Sequence, residues 1–285
     1  MSSVENYYSF FGEREWTRLD REPLEFLINW HYIVQHLPGP GTILDIGAGP
    51  GKYSLQLAKM GHRVTLADLT PKLVDIARQK ASEFGLLHQF QGFHVTDACD
   101  LSHFPDEAFD ASLMLGPMYH LQKEEDRVTA ACELYRVTKS DGIIFVAFRS
   151  RSNHIMSSLM APENWKPHHQ IDAVYDFYQT GIFNHAEEGR FTGAYFYHVD
   201  EIRPLMESIG FQTIQLIGST NIGAVLTPDH WRYWQERGEA EKVIQLLIET
   251  AKEPALLGMS SHLLYIGKKG KWLRPARHKK YHHGK

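Results

Sequence analysis

Residues 43–54 read Ile-Leu-Asp-Ile-Gly-Ala-Gly-Pro-Gly-Lys-Tyr-Ser. A short apolar strand runs into a glycine-rich turn, and Lys52–Met60 then has helical spacing up to Gly61. A second strand, Arg63–Ala67, ends against an acidic residue, Asp68. Glycine lets the backbone turn tightly and approach a ligand with no Cβ in the way. In an open parallel sheet, ligands sit at the carboxyl ends of the strands, beside strand one. A carboxylate closing strand two is placed there to accept from both hydroxyls of a ribose. The segment reads as the seat of a nucleoside-containing cofactor.

Working outward, strands and helices alternate. Residues 22–37 have Leu24, Leu27, Ile28 and Val34 on one helical face, and the Pro-Gly-Pro-Gly stretch at 38–41 stops them. Strand one is Thr42–Ile46. Thr70 caps a helix with Pro71 at its first position. Gln89–His94 is a weak third strand, Phe109–Leu115 an apolar fourth and Ile143–Phe148 a fifth, with a helix over Glu124–Thr138. This order predicts an α/β architecture, a parallel sheet with helices on both faces. Arg149 to His198 has no clean period and reads as an insertion. Beyond it, Asp200 caps a helix ended by Gly210, Phe211–Ile217 is a strand, Asp229–Lys252 a long helix, and His262–Ile266 a last strand.

The chain has 285 residues, room for one large domain with an insertion. It divides into an N-terminal lid and helix (1–38), a cofactor-binding core (39–148), a cap insertion (149–198), a return to the core (199–267) and a basic, mobile tail (268–285). At 43% hydrophobic and 22% charged it reads as an ordinary globular chain. A formal net charge of −4 gives no general attraction to nucleic acid or to anionic membranes. Cys99 and Cys132 make no disulfide framework and have no metal-ligand spacing. No apolar run suggests a leader or a membrane span, so the expectation is a reduced, cytoplasmic protein without a structural metal.

The glycine spacing is G-x-G-x-G, not the G-x-G-x-x-G of a pyrophosphate cradle. Asp97-Ala98 follows strand three, placed for a carboxylate to accept from an adenine amino group; a simple turn cap is the other reading of Asp97. Together, ILDIGAGPG, VTLADLTPKLVDIARQ, TDACDL, FDASLMLGPMYHL and RVTKSDGIIFVAF resemble the class I S-adenosylmethionine (SAM)-dependent methyltransferases. The likeness covers residues 40–150, and FTGAYFYHVDEIRPLMESIGF fits the members with a small-molecule cap. It implies a Rossmann-like, seven-stranded, mostly parallel sheet with its last strand antiparallel. It also implies Asp45 and the loop of Gly47, Ala48, Gly49 and Gly51 near the methionine moiety, Asp68 with Leu69 at the ribose, and Asp97 with Ala98 at the adenine. Leu115 and Tyr8 complete the expected cofactor set. Lys139-Ser-Asp-Gly142 stands where many members have Lys-Pro-Gly-Gly, and still makes a tight turn.

Methyl transfer from a sulfonium needs alignment and exclusion of water more than acid–base help. Tyr119 and His120, after strand four, are the residues expected to meet the acceptor, with His120 as a base if a proton must leave; a loop-orienting histidine is the alternative. Tyr7, Tyr8 and Phe11 suit a lid over a cationic sulfonium, or plain packing. Trp165, His168, His169, Tyr175, Tyr178, Phe183, Tyr195 and Tyr197 form an aromatic, His-rich set suited to a flat or apolar acceptor, or to a packed cap. The function expected is methylation of a small molecule by SAM, giving S-adenosylhomocysteine. Two alternatives stay open: a SAM-binding module without catalysis, and a NAD(P)-dependent Rossmann oxidoreductase. No Asn/Asp-Pro-Pro-Tyr/Phe motif for a flipped base follows strand four, which argues against a nucleic-acid substrate. The acceptor, the atom methylated and the oligomeric state are not written in the sequence.

Overall fold

The computed structural model describes residues 7–8, 12, 14–187 and 190–270. Phe10, Phe11 and the tail from residue 271 onward, His282 and His283 included, lie outside the described residues.

Strands β1 (Thr42–Ile46), β2 (Arg63–Asp68), β3 (Phe90–Val95), β4 (Phe109–Met114) and β5 (Thr138–Arg149) are parallel, in the order β3-β2-β1-β4-β5. All five residues of β1 are buried, because one cluster centred on Leu44 and Ile46 covers one face and another centred on Ile43 covers the other. A strand covered on both sides has no polar face to show, which is why these segments do not alternate. The sheet continues as β5-β9-β8, where β9 (His262–Lys269) runs antiparallel to β5 and to β8 (Phe211–Gly218). The seven-stranded Rossmann-like sheet, its antiparallel last strand and the insertion after β5 follow the expected plan.

Helices α1 (Pro23–His36), α2 (Lys52–Lys59), α3 (Pro71–Glu83) and α4 (Glu124–Val137) flank the parallel strands. The chain leaves β1 toward β2 on one side and returns to β4 on the other, which opens a crevice at the carboxyl ends of β1 and β4. Gly47 sits there at φ +65°, and a Cβ on it would lie 2.5 Å from Pro117 Cδ. Gly51, at φ +82°, is the N-cap of α2, and a Cβ there would meet Leu66 and Ala77. Both positions need glycine for conformation and for space.

Four expectations about elements are corrected. The long helix over 229–252 is two, α8 (Pro228–Glu236) and α9 (Ala240–Thr250), because Gly238 between them takes φ +69°. Asp200 is not the cap of the next helix, α7 (Val199–Ile209); His198 is, and its N–H donates to the Glu201 carboxylate at 3.2 Å. The tail cannot begin at Lys268, since Lys268 and Lys269 belong to β9. Lys269 is buried and donates to the Thr138 carbonyl at 2.8 Å. Finally, the stretch from Arg149 to His198 is ordered locally, not by period: α5 (Arg151–Met160), α6 (Ile171–Thr180) and a small ribbon of β6 (Ile182–Phe183) with β7 (Ala194–Tyr195).

This cap has its own core, Phe177, Phe183, Ala194 and Phe196 around the buried His154. Arg151, 3% exposed, ties it together by donating to the carbonyls of Phe196 (3.0 Å) and Tyr178 (3.1 Å) and to the Tyr195 hydroxyl (3.2 Å). Tyr197 joins cap to core, its hydroxyl donating to the Met118 carbonyl at 3.1 Å. Among the described residues no helix is long and apolar enough to cross a membrane.

Candidate functional site

A cavity of about 590 Å³ opens at the crevice between β1 and β4. Gly47, Ala48, Gly49, Asp68, Leu69, Asp97, Ala98, Leu115 and Tyr8 line it, and so do Tyr119 and His120. Asp45 and Gly51 stand behind the wall. Asp45 accepts from the Ser54 hydroxyl at 2.7 Å, and burial pushes its pKa up to about 7.

Asp68 is the fixed point of the β2 side. It is buried, yet one carboxylate oxygen accepts from the Gly49 N–H and the other from the Thr70 N–H, each at 2.8 Å. Two backbone donors hold the carboxylate rigidly and leave further lone pairs toward the cavity. Burial raises its pKa, and these same hydrogen bonds oppose the rise. The Gly49 N–H is therefore spent inside the protein and does not point at a pyrophosphate. Lys52, also on the wall, is paired to Asp20 at 2.8 Å. Asp97 makes a turn, its carboxylate accepting from the Cys99 N–H at 2.8 Å, while it borders the cavity beside Ala98.

Across the cavity, the Tyr8 hydroxyl and His120 Nε2 are 2.9 Å apart with their rings edge to face. Burial and the nearby Arg149 draw the His120 pKa down to about 3, so the ring is neutral and a weak base. Burial pushes the Tyr119 hydroxyl up to about 12, and it donates to the Leu115 carbonyl at 3.3 Å. Of the aromatic set expected from the cap, only Trp165 lines this cavity. His168 and Phe183 are buried in the cap core, Tyr195 packs on the Arg127 guanidinium, Tyr197 is buried, and Tyr175 and Tyr178 face solvent, as does His169. Aromatic side chains in a small subdomain are consumed first by its own core.

Several wall residues carry charges that the sequence reading did not single out. Glu25, in the first turn of α1, is buried between Arg18 (3.2 Å) and His262 Nδ1 (3.4 Å). Burial would raise its pKa, but His262 and Arg18 draw it down to about 2. Burial lowers His262 to about 4, so it is neutral beside the ionised Glu25 at pH 7. Arg149 ends β5 on the same wall. Its position at a strand's carboxyl end was a usable signal; Glu25 had none, since an acidic residue in a helix's first turn is ordinary.

The sheet order, the glycine turn and the carboxylate closing β2 are together the class I SAM-dependent methyltransferase fold, with a cap after the fifth strand. Residues 44–146 match the family model described as "Methyltransferase domain". An uncharacterized protein of Mycobacterium tuberculosis is 36% identical over 110 residues, 38% of this chain. The match spans 37% of that relative's length. Among solved structures, a SAM-dependent methyltransferase from Methanosarcina mazei superposes with a TM-score of 0.58 at 20% identity, covering 85% of this chain and 98% of the other. The Burkholderia thailandensis 1,6-didemethyltoxoflavin-N1-methyltransferase, solved with 1,6-didemethyltoxoflavin and S-adenosylhomocysteine, gives 0.57 at 14% identity, covering 94% and 88%. At such identities these two structures speak for the fold. The wall has the chemistry to suit a nucleoside without phosphates: a rigid buried carboxylate, and a glycine loop whose N–H and lysine are already engaged.

Proposed function

We propose that this protein transfers the methyl group of SAM to a small-molecule acceptor bound between the carboxyl edge of the sheet and the cap. The observation that carries the reading is Asp68, a buried carboxylate held by Gly49 and Thr70 at the switch point of the sheet. SAM supplies a methyl group activated on sulfur; the acceptor's lone pair forms the new bond, the S–CH₃ pair stays on sulfur, and S-adenosylhomocysteine leaves.

The chain's own residues bind, orient and exclude water. Asp68 with Leu69 holds the ribose, Asp97 and Ala98 border the adenine, and Gly47 lets the backbone approach the methionine end. Tyr8 closes the cavity against His120, and an aromatic ring there suits a cationic sulfonium. Neutral His120 orients rather than deprotonates, so a suitable acceptor loses its proton to water or is already deprotonated.

Calorimetry tests the reading. Wild-type protein is expected to bind S-adenosylhomocysteine and ignore NAD, with binding lost in Asp68→Ala. Methyl-labelled SAM and a broad acceptor panel then separate an enzyme from a binding module. Binding of NAD in place of S-adenosylhomocysteine would sink the proposal, and tight cofactor binding with no transfer to any acceptor would favour the module.

A further inference from the structure

A second cavity, about 580 Å³, lies behind the first. Glu22, Glu25, Arg149, Trp165 and Ser261 line both, so they form a shared wall. Beyond that wall the lining is mixed: Leu24, Leu27, Leu226, Trp231 and Ile244 give it an apolar body, and Arg21, Asn153 and Gln235 are among its polar members.

Arg149 is the unexplained group on this wall. Its guanidinium is stacked near Phe191 (4.6 Å to the ring centroid) and Phe196 (4.9 Å). Its Nε is buried and, among the described residues, has no hydrogen-bond partner. Among the described residues no carboxylate forms an ion pair with it, and Glu25 on the same wall is committed to Arg18 and His262. A desolvated cation with no carboxylate in contact is costly. The planar fork of a guanidinium matches a carboxylate bidentately. Burial lowers the Arg149 pKa, and its charge in turn helps keep His120, His154 and His262 neutral, so no neighbouring ring competes as a cation.

From this geometry we infer that Arg149 is the specificity-determining residue of the acceptor site: it takes the carboxylate of an apolar or aromatic acid whose body occupies the second cavity. The acid's nucleophilic atom then faces the Tyr119–His120 side of the first cavity. The inference rests on the methyl-transfer reading above, and it adds the chemical class of the acceptor.

The test uses the full chain saturated with S-adenosylhomocysteine. Benzoate, 2-naphthoate, indole-3-acetate and octanoate are titrated against their primary amides, with phenyl phosphate as a further probe, following the fluorescence of Trp165 and Trp231. At least one acid is expected to bind tenfold or more tightly than its amide. Arg149→Met should reduce that preference below twofold with S-adenosylhomocysteine affinity unchanged, and Arg149→Lys should retain part of it. Equal binding of every acid and amide overturns the inference, and so does a preference that survives in Arg149→Met or a stronger preference for phenyl phosphate. Loss of S-adenosylhomocysteine binding in Arg149→Met also overturns it, because Arg149 would then serve the methionine carboxylate. If the methionine variant does not fold, the wild-type acid–amide comparison and Arg149→Lys decide. Repeating the titrations without cofactor separates the two readings: failure to bind S-adenosylhomocysteine breaks the methyl-transfer proposal, whereas absence of acid preference breaks this one.

Discussion

The two sides of the cavity are built differently. On the β2 side the charged group is Asp68, and its partners are backbone N–H groups from Thr70, two residues on, and from Gly49, nineteen residues back. On the β5 side the titratable groups are Arg149, Glu25, Arg18 and the neutral His262, brought together from the two ends of the chain and its middle. The first arrangement is short-range, preorganised and complete without ligand. The second leaves a buried guanidinium nitrogen without a partner among the described residues. A site that reads one constant cofactor can afford fixed backbone donors; a site for a particular acceptor is assembled from side chains that differ from one protein to the next.

Substitutions test that contrast. The largest effect is expected for Asp68→Ala, which removes two charge-assisted hydrogen bonds and strands the Gly49 and Thr70 N–H groups; affinity for S-adenosylhomocysteine should fall about 100-fold, or ~3 kcal/mol. A loss below tenfold by calorimetry would mean that the β2 side is not the nucleoside seat. Next comes Arg151→Ala, which removes three hydrogen bonds that close the cap and should cost about 3 kcal/mol. The damage should be confined to the cap. Limited proteolysis within residues 160–195 should accelerate while S-adenosylhomocysteine binding holds, and equal damage to both would show that the two sides are not separable.

The pH dependence gives a smaller, graded effect. His154 is buried among Trp165, Phe177, Phe183 and Phe196, and burial first, then Arg149 and His168, lower its pKa to about 2. His120 falls to about 3. For a base whose folded pKa lies below its unfolded value, the unfolded chain binds the extra proton. Stability is therefore full above pH 6.5 and is lost as pH falls toward the folded values. At pH 5 each such histidine costs about 2 kcal/mol relative to pH 7. Urea midpoints at the two pH values check this, and His154→Phe should flatten the slope; an unchanged slope would place the proton uptake elsewhere. The smallest effect is expected for Lys166→Ala. Its 2.7 Å pair with Glu187 is solvent-exposed, and the melting temperature should not move measurably.

Much of the β2 side was legible in the sequence. Its information is local: Gly47 and Gly51 must take positive φ, Asp68 must close an apolar strand, and Pro71 must open the next helix. The boundaries of β1 through β4 were readable to within a residue or so, since short β-prone segments rich in apolar residues stand between stretches rich in glycine, proline and charge. The cap was not legible. Its aromatic residues looked like a ligand wall, yet Phe183, His168 and Tyr197 are spent on packing. Composition does not say which side of an aromatic cluster faces a cavity. The break between α8 and α9 was missed because Gly238 is also tolerated, at a cost, within a helix.

The sequence by itself determined the succession of strands and helices, the glycine seat and the carboxylate beside it, because each depends on residues close in the chain and on backbone geometry. Only the tertiary structure decided that Glu25, Arg18, His262 and Arg149 share one wall, that His120 is a neutral, weak base, and that among the described residues no carboxylate forms an ion pair with Arg149. The reason is physical: charge and proton affinity in a pocket are set by desolvation and by neighbours from distant segments, and neither exists until the chain has folded.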